Sequence, residues 1–461
     1  MLLGNGDGTF QSAVIYGSGG AGLTGGSVAI ADVNGDGRPD IVVANECGAD
    51  RTTCQSGSVG VLLGNGDGTF KPAVAYGSGG YFDTSVAVAD VNGDGRLDLL
   101  VSNNCADINC SSDAVVGVLL GNGDGSFQTA VIYGSGGRFA EWVAVADVNG
   151  DGGPDLLMAN DNSVGVLLGN GDGTFRPAVA YQSGGEHNSL AVADVNGDGK
   201  PDLLVADYCA PGITCSGGGP GAVDALLGNG HGTFRPAATY SSGADDANSV
   251  AVADVNGDGK PDLLVINQCA DLINCASGTI SVLLGNGNGT FQSAVTYDSG
   301  GYLADSITVA DVNGDGRPDL VVANFSVNFY QPTPGVVTVL LNNTPFCTTP
   351  KVITVSTTPA SLWPPNGKMV PVVVSWAVTD TGCTVTTVAY TVTDEYGEVQ
   401  PSGPLTLGAG GSYSFTVLLQ ASRLGTDSDG RLYTISVSAS NNAGKTGSQV
   451  ATVTVPHDER R

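Results

Sequence analysis

The chain has 461 residues, of which 41% are apolar, only 13% are charged and 71 are glycine. That balance excludes an acidic disordered tail and marks a folded protein rich in tight turns. The formal net charge is −28, from 45 Asp and Glu against 17 Lys and Arg; with no basic stripe to neutralise phosphates, nucleic acid and anionic membrane surfaces are excluded as partners.

From its first residues the chain is inside a repeat, because Met1-Leu2-Leu3-Gly4-Asn5-Gly6 already follows the later pattern. A secretory signal is therefore expected upstream of Met1, and no apolar run reaches the ~18 residues a membrane span requires. Each unit runs through Ser-Val-Ala-Val-Ala, a nine-residue acidic loop, Pro-Asp-Leu-Leu-Val-Ala-Asn, a variable loop, Val-Gly-Val-Leu-Leu, Gly-Asn-Gly-Asp-Gly-Thr-Phe, Pro-Ala-Val-Ala-Tyr and Gly-Ser-Gly-Gly. The apolar runs are short, rich in Val and bounded by Gly, Asn and Asp, which predicts four strands per unit. Acidic loops begin at residues 32, 90, 147, 194, 254 and 311, giving periods of 58, 57, 47, 60 and 57.

A four-stranded sheet of that size cannot bury both faces alone. The expected fold is therefore all-β: a β-propeller of six or seven four-stranded antiparallel blades over residues 1–345. Residues 13–16 are expected to complete the last blade and close the ring. After Pro345 the Gly-Asp loops stop and Thr/Val alternation takes over. Segments near 352–356, 370–377, 385–393, 412–419, 432–438 and 450–455 read as strands of a small β-sandwich filling residues 346–461.

The ten cysteines fall as Cys47/Cys54, Cys105/Cys110, Cys209/Cys215, Cys269/Cys275 and Cys347/Cys383. Four of these pairs are closely spaced inside Gly/Ser/Asp-rich loops, which predicts local disulfides and an oxidising, extracellular compartment. Zinc is the weaker reading, since Cys-x2-Cys spacing is absent and only His187, His231 and His457 are available.

The acidic loop carries the chemistry. In Asp32-Val33-Asn34-Gly35-Asp36-Gly37-Arg38-Pro39-Asp40, oxygens at positions 1, 3 and 5 can converge when the backbone curls. Gly at position 6 allows the sharp turn that returns a carbonyl at 7 and the acid at 9 to the same centre. The predicted ligands are Asp32, Asn34, Asp36, Arg38 and Asp40; Asp90, Asn92, Asp94, Arg96 and Asp98; Asp147, Asn149, Asp151, Gly153 and Asp155; Asp194, Asn196, Asp198, Lys200 and Asp202; Asp254, Asn256, Asp258, Lys260 and Asp262; and Asp311, Asn313, Asp315, Arg317 and Asp319, with position 7 acting through its carbonyl. A flexible, carboxylate-rich oxygen set suits calcium better than magnesium, so about six Ca2+ ions are expected, one per loop.

The repeated Asp-Val-Asn-Gly-Asp-Gly-Arg-Pro-Asp-Ile-Val-Val-Ala resembles the FG-GAP/VCBS repeat of integrin alpha-subunit propellers and of many secreted bacterial proteins. The resemblance implies a calcium-stabilised propeller, commonly seven-bladed. Leu362-Trp363-Pro364-Pro365-Asn366-Gly367-Lys368-Met369-Val370-Pro371 and Val455-Pro456-His457-Asp458 resemble an immunoglobulin-like module appended to secreted bacterial proteins.

In an up-and-down sheet the acidic loops and Gly-Asn-Gly turns share one end, and the Cys-bearing loops and Gly-Ser-Gly-Gly connections share the other. The second end is where the units differ, at Tyr81-Phe82, Arg138-Phe139, Glu141-Trp142, Glu186-His187, Asp245-Asp246, Tyr302 and Phe329-Tyr330. Aromatics on variable loops over a rigid scaffold point to binding of an extracellular protein or carbohydrate. Catalysis finds little support, because no His has a matching nucleophile motif and the acids are accounted for by metal. The expected function is secreted recognition or adhesion without catalysis. The alternatives are the carbohydrate-binding part of a polysaccharide-active enzyme, or a spacer.

Overall fold

The computed structural model describes all residues except 6–8, 21–25, 49–55, 211–218, 271–274, 276, 327–334, 344–348, 381–383, 399, 407–411, 425–429, 442–443 and 458–461, and the side chains of His187, Asn188, Ile353 and Ser412. The chain divides into two compact units. One holds residues 1–253 and 260–342; the other holds 343–461, with the loop 254–259 grouped with it.

The first unit is a succession of antiparallel sheets. The first sheet is β1 (Val28–Ala31), β2 (Asp40–Asn45), β3 (Ser58–Leu62) and β4 (Val74–Gly77). The second is β5 (Tyr81–Ala89), β6 (Asp98–Cys105), β7 (Val115–Leu119) and β8 (Val131–Gly134). The third is β9 (Arg138–Ala146), β10 (Asp155–Asp161), β11 (Ser163–Leu167) and β12 (Val179–Gln182). The fourth and fifth units are fused into one seven-stranded sheet of β13 (His187–Ala193), β14 (Asp202–Asp207), β15 (Pro220–Leu226), β16 (Ala238–Ala253), β17 (Asp262–Cys269), β18 (Thr279–Leu283) and β19 (Val295–Asp298). The fusion arises because β16 runs for 16 residues, ending one blade and beginning the next. There the usual Gly-Ser-Gly-Gly is replaced by Ser241-Ser242-Gly243-Ala244, which has one glycine rather than three to break the strand.

The last sheet, β20 (Tyr302–Ala310), β21 (Asp319–Ser326) and β22 (Val336–Leu340), has three strands. The expected closing strand at residues 13–16 does not pair with β22. Val14 exchanges backbone hydrogen bonds with Met1 instead, and Tyr16 packs edge-on against Phe70 of the first blade. The consequence is measurable at one position. Val59, Val116, Val164, Val223 and Ile280 are fully buried on the third strands of the first five blades, whereas Val337 of β22 is 46% exposed.

The apolar cores lie between blades, not within them. Val42, Val59 and Val61 of the first blade pack with Leu99, Leu119 and Phe127 of the second, and the same arrangement recurs at the next seams. Each buried Leu or Val contributes about 1.5–3 kcal/mol relative to exposure, so a blade is stable only against its neighbours. The second strands, buried on both faces in β6, β14 and β17, read as unbroken apolar runs for this reason.

In the second unit, one sheet begins with β23 (Lys351–Thr358) paired with β24 (Met369–Thr379). The other sheet contains β25 (Val385–Asp394) and β26 (Ser402–Leu405). The strand β27 (Ser412–Gln420) returns to β24, while β28 (Arg431–Asn441) and β29 (Thr446–Val455) extend the second sheet in the order β26-β25-β28-β29. Both sheets contribute to one core around Trp376, Leu419, Tyr433, Ile435 and Val453. The strand β26 was not expected, because its Ser-Gly-Pro-Leu carries no strand signal.

Disulfides join Cys105 to Cys110 and Cys269 to Cys275 as expected. Cys47 and Cys209 are also disulfide-bonded. Their predicted partners Cys54 and Cys215, and the pair Cys347 and Cys383, lie outside the described residues. Among the described residues no helix is long and apolar enough to cross a membrane.

Candidate functional site

The first unit presents two ends with different chemistry. At one end each acidic loop folds on its own backbone. In the first loop, Asp32 accepts hydrogen bonds from the amides of Asp36 and Gly37 at 3.1 and 2.7 Å, Asn34 accepts from Asp36 at 2.9 Å, and Asp36 accepts from Arg38 at 3.0 Å. The same pattern recurs around Asp90, Asn92 and Asp94 with the amide of Arg96, and around Asp147, Asn149 and Asp151 with that of Gly153. It recurs around Asp194, Asn196 and Asp198 with Lys200, and around Asp311, Asn313 and Asp315 with Arg317. In the remaining loop Asp254 accepts from Gly257, Asp258 and Gly259, and Asn256 accepts from Asp258.

Position 9 has a separate task. Asp40 is fully buried and bridges two elements, accepting the amide of Val33 at 3.0 Å and that of Gly64, at the head of the Gly-Asn-Gly turn, at 2.7 Å. Asp98, Asp155 and Asp202 make the equivalent pairs. Asp262 accepts from Gly285, and Asp319 accepts from Val312 and from Asn342, which stands where the other blades have glycine. Burial raises the pKa of Asp40, Asp98, Asp155 and Asp202. The amide bonds oppose this, and the carboxylates at positions 1 and 5 add to it. The acid at position 9 is thus close enough to feel the charge of the other two.

Among the described residues, no three His, Cys, Asp or Glu side chains are gathered into one metal-holding group; in this conformation the loop oxygens are turned to backbone N–H donors. The donor set remains all oxygen and carboxylate-rich, with the chemistry that suits calcium.

The adjoining Gly-Asn-Gly turn belongs to the neighbouring loop as much as to its own. Gly173, Gly232 and Gly289 donate to the carbonyls of Val91, Val148 and Val195 in the acidic loop of the preceding blade. Tyr76, Tyr133, Tyr181 and Tyr240 meet Phe127, Phe175, Phe234 and Phe291 of the next blade edge-to-face at 5.3–5.5 Å. The turn is therefore a clamp between blades, which its hairpin sequence alone did not reveal.

The opposite end varies from blade to blade. The first strands of successive blades run side by side, and four of them carry a β-bulge near the blade's start: the register shifts between Asp83 and Ser85, His187 and Ser189, Ala247 and Ser249, and Ala304 and Ser306. The extra residue reaches to the next blade. The Thr84 hydroxyl donates to the Ala140 carbonyl at 2.7 Å, and the Asn248 amide donates to the Asp305 carbonyl at 2.6 Å. Two positions before the bulge, Phe82, Asp246 and Leu303 have φ of 59°, 61° and 49°, and Phe139 of the third blade has 49°. Bulky residues rarely adopt this conformation, which costs about 1–3 kcal/mol each.

Phe139 is 38% exposed, with the Arg138 guanidinium over its ring. Beside it Glu141 accepts from Asn104 at 3.0 Å; burial raises its pKa against that bond. Trp142 differs from expectation: it is half-buried in β9, paired with Ala159 of β10, and packs on the apolar core between the third and fourth blades. Tyr81 and Tyr302 are half-buried strand residues, and Phe329 and Tyr330 lie outside the described residues.

Antiparallel blades stacked through shared cores, each with an oxygen-rich loop at the same corner, define a repeat protein of propeller-like, all-β architecture. The chain belongs to the FG-GAP-like repeat family, whose model matches residues 1–43, 49–101, 103–158, 147–205, 213–265 and 268–322; a related FG-GAP repeat model matches 188–223. Among solved structures it is similar to an Agrocybe aegerita lectin that recognises non-reducing terminal N-acetylglucosamine, with 23% identity and a TM-score of 0.45 over 74% of this chain and 88% of the lectin. It is also similar to the periplasmic gluconolactonase of Pseudomonas aeruginosa, with 15% identity and a TM-score of 0.43 over 73% of this chain and 93% of that enzyme. No curated protein matches.

Proposed function

We propose that the chain is a calcium-stabilised, extracellular recognition protein that binds its partner at the variable end of the blades and performs no catalysis. The observation that carries the reading is the contrast between the ends. The acidic-loop end repeats the same hydrogen bonds blade after blade, while the opposite end places different side chains on one bulged scaffold. Calcium would be held by the carboxylates and amides at positions 1, 3 and 5, the position 7 carbonyl and the position 9 acid, for example Asp32, Asn34, Asp36, Arg38 and Asp40. It would supply the charge that the mutually repelling acids lack. The two-sheet C-terminal unit is read as an immunoglobulin-like module, and disulfide-bonded cysteines support an oxidising compartment.

Native mass spectrometry with calcium should show about six bound ions, and a chelator should lower the melting temperature; indifference of melting to chelator would end the calcium reading. For recognition, a glycan array and an extracellular-protein panel identify the ligand, and Phe139→Ala with Tyr302→Ala should weaken it at least tenfold. Unchanged affinity would remove this end as the binding face.

A further inference from the structure

The fourth blade departs from its neighbours at two buried positions that face each other. Near their ends the second strands of the other blades carry Asn45, Asn103, Asn160, Asn267 and Asn324 at the position where β14 carries Asp207. The third strands of the first three blades carry Gly60, Gly117 and Gly165 next to that residue, whereas β15 carries Asp224. Both carboxyl groups are fully buried and are diagonal neighbours on one face of the sheet, Asp207 lying opposite Ala222 and Asp224 opposite Val205.

The donors around them assign the proton. Asp224 accepts the Gly184 amide at 2.8 Å on one oxygen and the Thr239 hydroxyl on the other, so it is the ionised partner. Asp207 must then carry a hydrogen to meet it, since two facing carboxylates in a dry site repel by several kcal/mol. Gly184 belongs to the connection entering the fourth blade at the variable end. Gly185 of that connection lies directly on Asp207: a Cβ at Gly185 would stand 2.7 Å from the Asp207 Cβ.

We propose that Asp207 and Asp224 form a proton-dependent latch that holds the 183–186 connection of the fourth blade and releases it in alkali. Several titratable groups surround the pair, and of these Asp224 is the charge that acts on Asp207. Its register partner on β13 is His187. Tyr208 follows it in the chain, bonded to Asp246 and beside Glu186, and Asp245 pairs with Pro220 on the β15–β16 side. Burial, then Asp224, pushes the Asp207 pKa up to about 9. A folded-state pKa above the unfolded value of about 4 means that the pair's stability is fully present below pH 4. It declines as pH rises, because the unfolded chain releases a proton the folded chain keeps, and the decline ends near the folded value of about 9.

The test is Asp207→Asn, which restores the residue of the other five blades and offers Ser183 the acceptor that Ser78 and Ser299 find in Asn103 and Asn324. Urea unfolding and amide exchange at Gly184 are followed from pH 4 to 10 for wild type, Asp207→Asn and Asp224→Gly. Near pH 4 wild type and Asp207→Asn should unfold alike. Above it, each pH unit should multiply the wild-type unfolding constant relative to Asp207→Asn by up to about ten, and above pH 9 Gly184 exchange, once divided by the intrinsic base-catalysed rate, should accelerate in wild type but not in Asp207→Asn. Asp224→Gly should also flatten the profile. Parallel pH profiles for wild type and Asp207→Asn, or equal Gly184 exchange in alkali, would overturn the latch.

Discussion

Asp98→Asn separates the two roles that the acidic loop combines. The carboxylate of Asp98 is fully buried and accepts the Val91 amide at 2.9 Å on one oxygen and the Gly121 amide at 2.7 Å on the other. Asparagine has the same shape but only one acceptor, so its NH2 group must face one of the two amides. The change loses one charge-assisted hydrogen bond, worth about 1.5–3 kcal/mol, and leaves a buried N–H without a partner, costing about 1–3 kcal/mol. Burial, which raises the Asp98 pKa, offsets part of this because the neutral amide is easier to desolvate. The net expectation is a destabilisation of about 2–4 kcal/mol in chelator. In calcium the gap should widen, because Asp98 is also a proposed ligand. Urea unfolding of both proteins in chelator and in calcium reads both effects. A difference within about 0.5 kcal/mol in chelator would refute the bridging role, and an unchanged gap in calcium would detach this residue from the ion.

Two further substitutions probe the packing. Phe175→Ala removes a ring that is 7% exposed and stands edge-on to Tyr133 at 5.5 Å; it should cost about 3–5 kcal/mol, with amide exchange rising first at the seam between the second and third blades. Uniform acceleration across all blades would contradict stability that passes from neighbour to neighbour. In the second unit, Arg431→Met strands the buried Asp394 and should cost about 3–5 kcal/mol, while Arg431→Met with Asp394→Leu should recover most of it. A double variant no better than the single one would show that Arg431 acts through its stacking on Tyr396 and Tyr433.

Much of this protein is written in local sequence. Strands alternate with Gly-rich turns at a regular period, so the four-stranded unit, the inter-loop spacing and the shared end of acidic loops and Gly-Asn-Gly turns were legible. So were the disulfides Cys105–Cys110 and Cys269–Cys275. Each depends on residues near one another in the chain. Position 9 of the acidic loop was legible as an acid, but not as the bridge to Gly64 or Gly121, because the partner amide lies more than 20 residues away.

Only the tertiary structure decided what depends on the neighbouring blade. It turned Trp142 from a candidate ligand contact into a core residue, fused two blades through β16, and left residues 13–16 paired with Met1 rather than with β22. It also brought Asp207 and Asp224, 17 residues apart in the sequence, into one buried pair. The physical reason is plainest for Trp142. A blade is too thin to bury its own side chains, so their fate is set by what packs against them, and that information is spread over adjacent repeats.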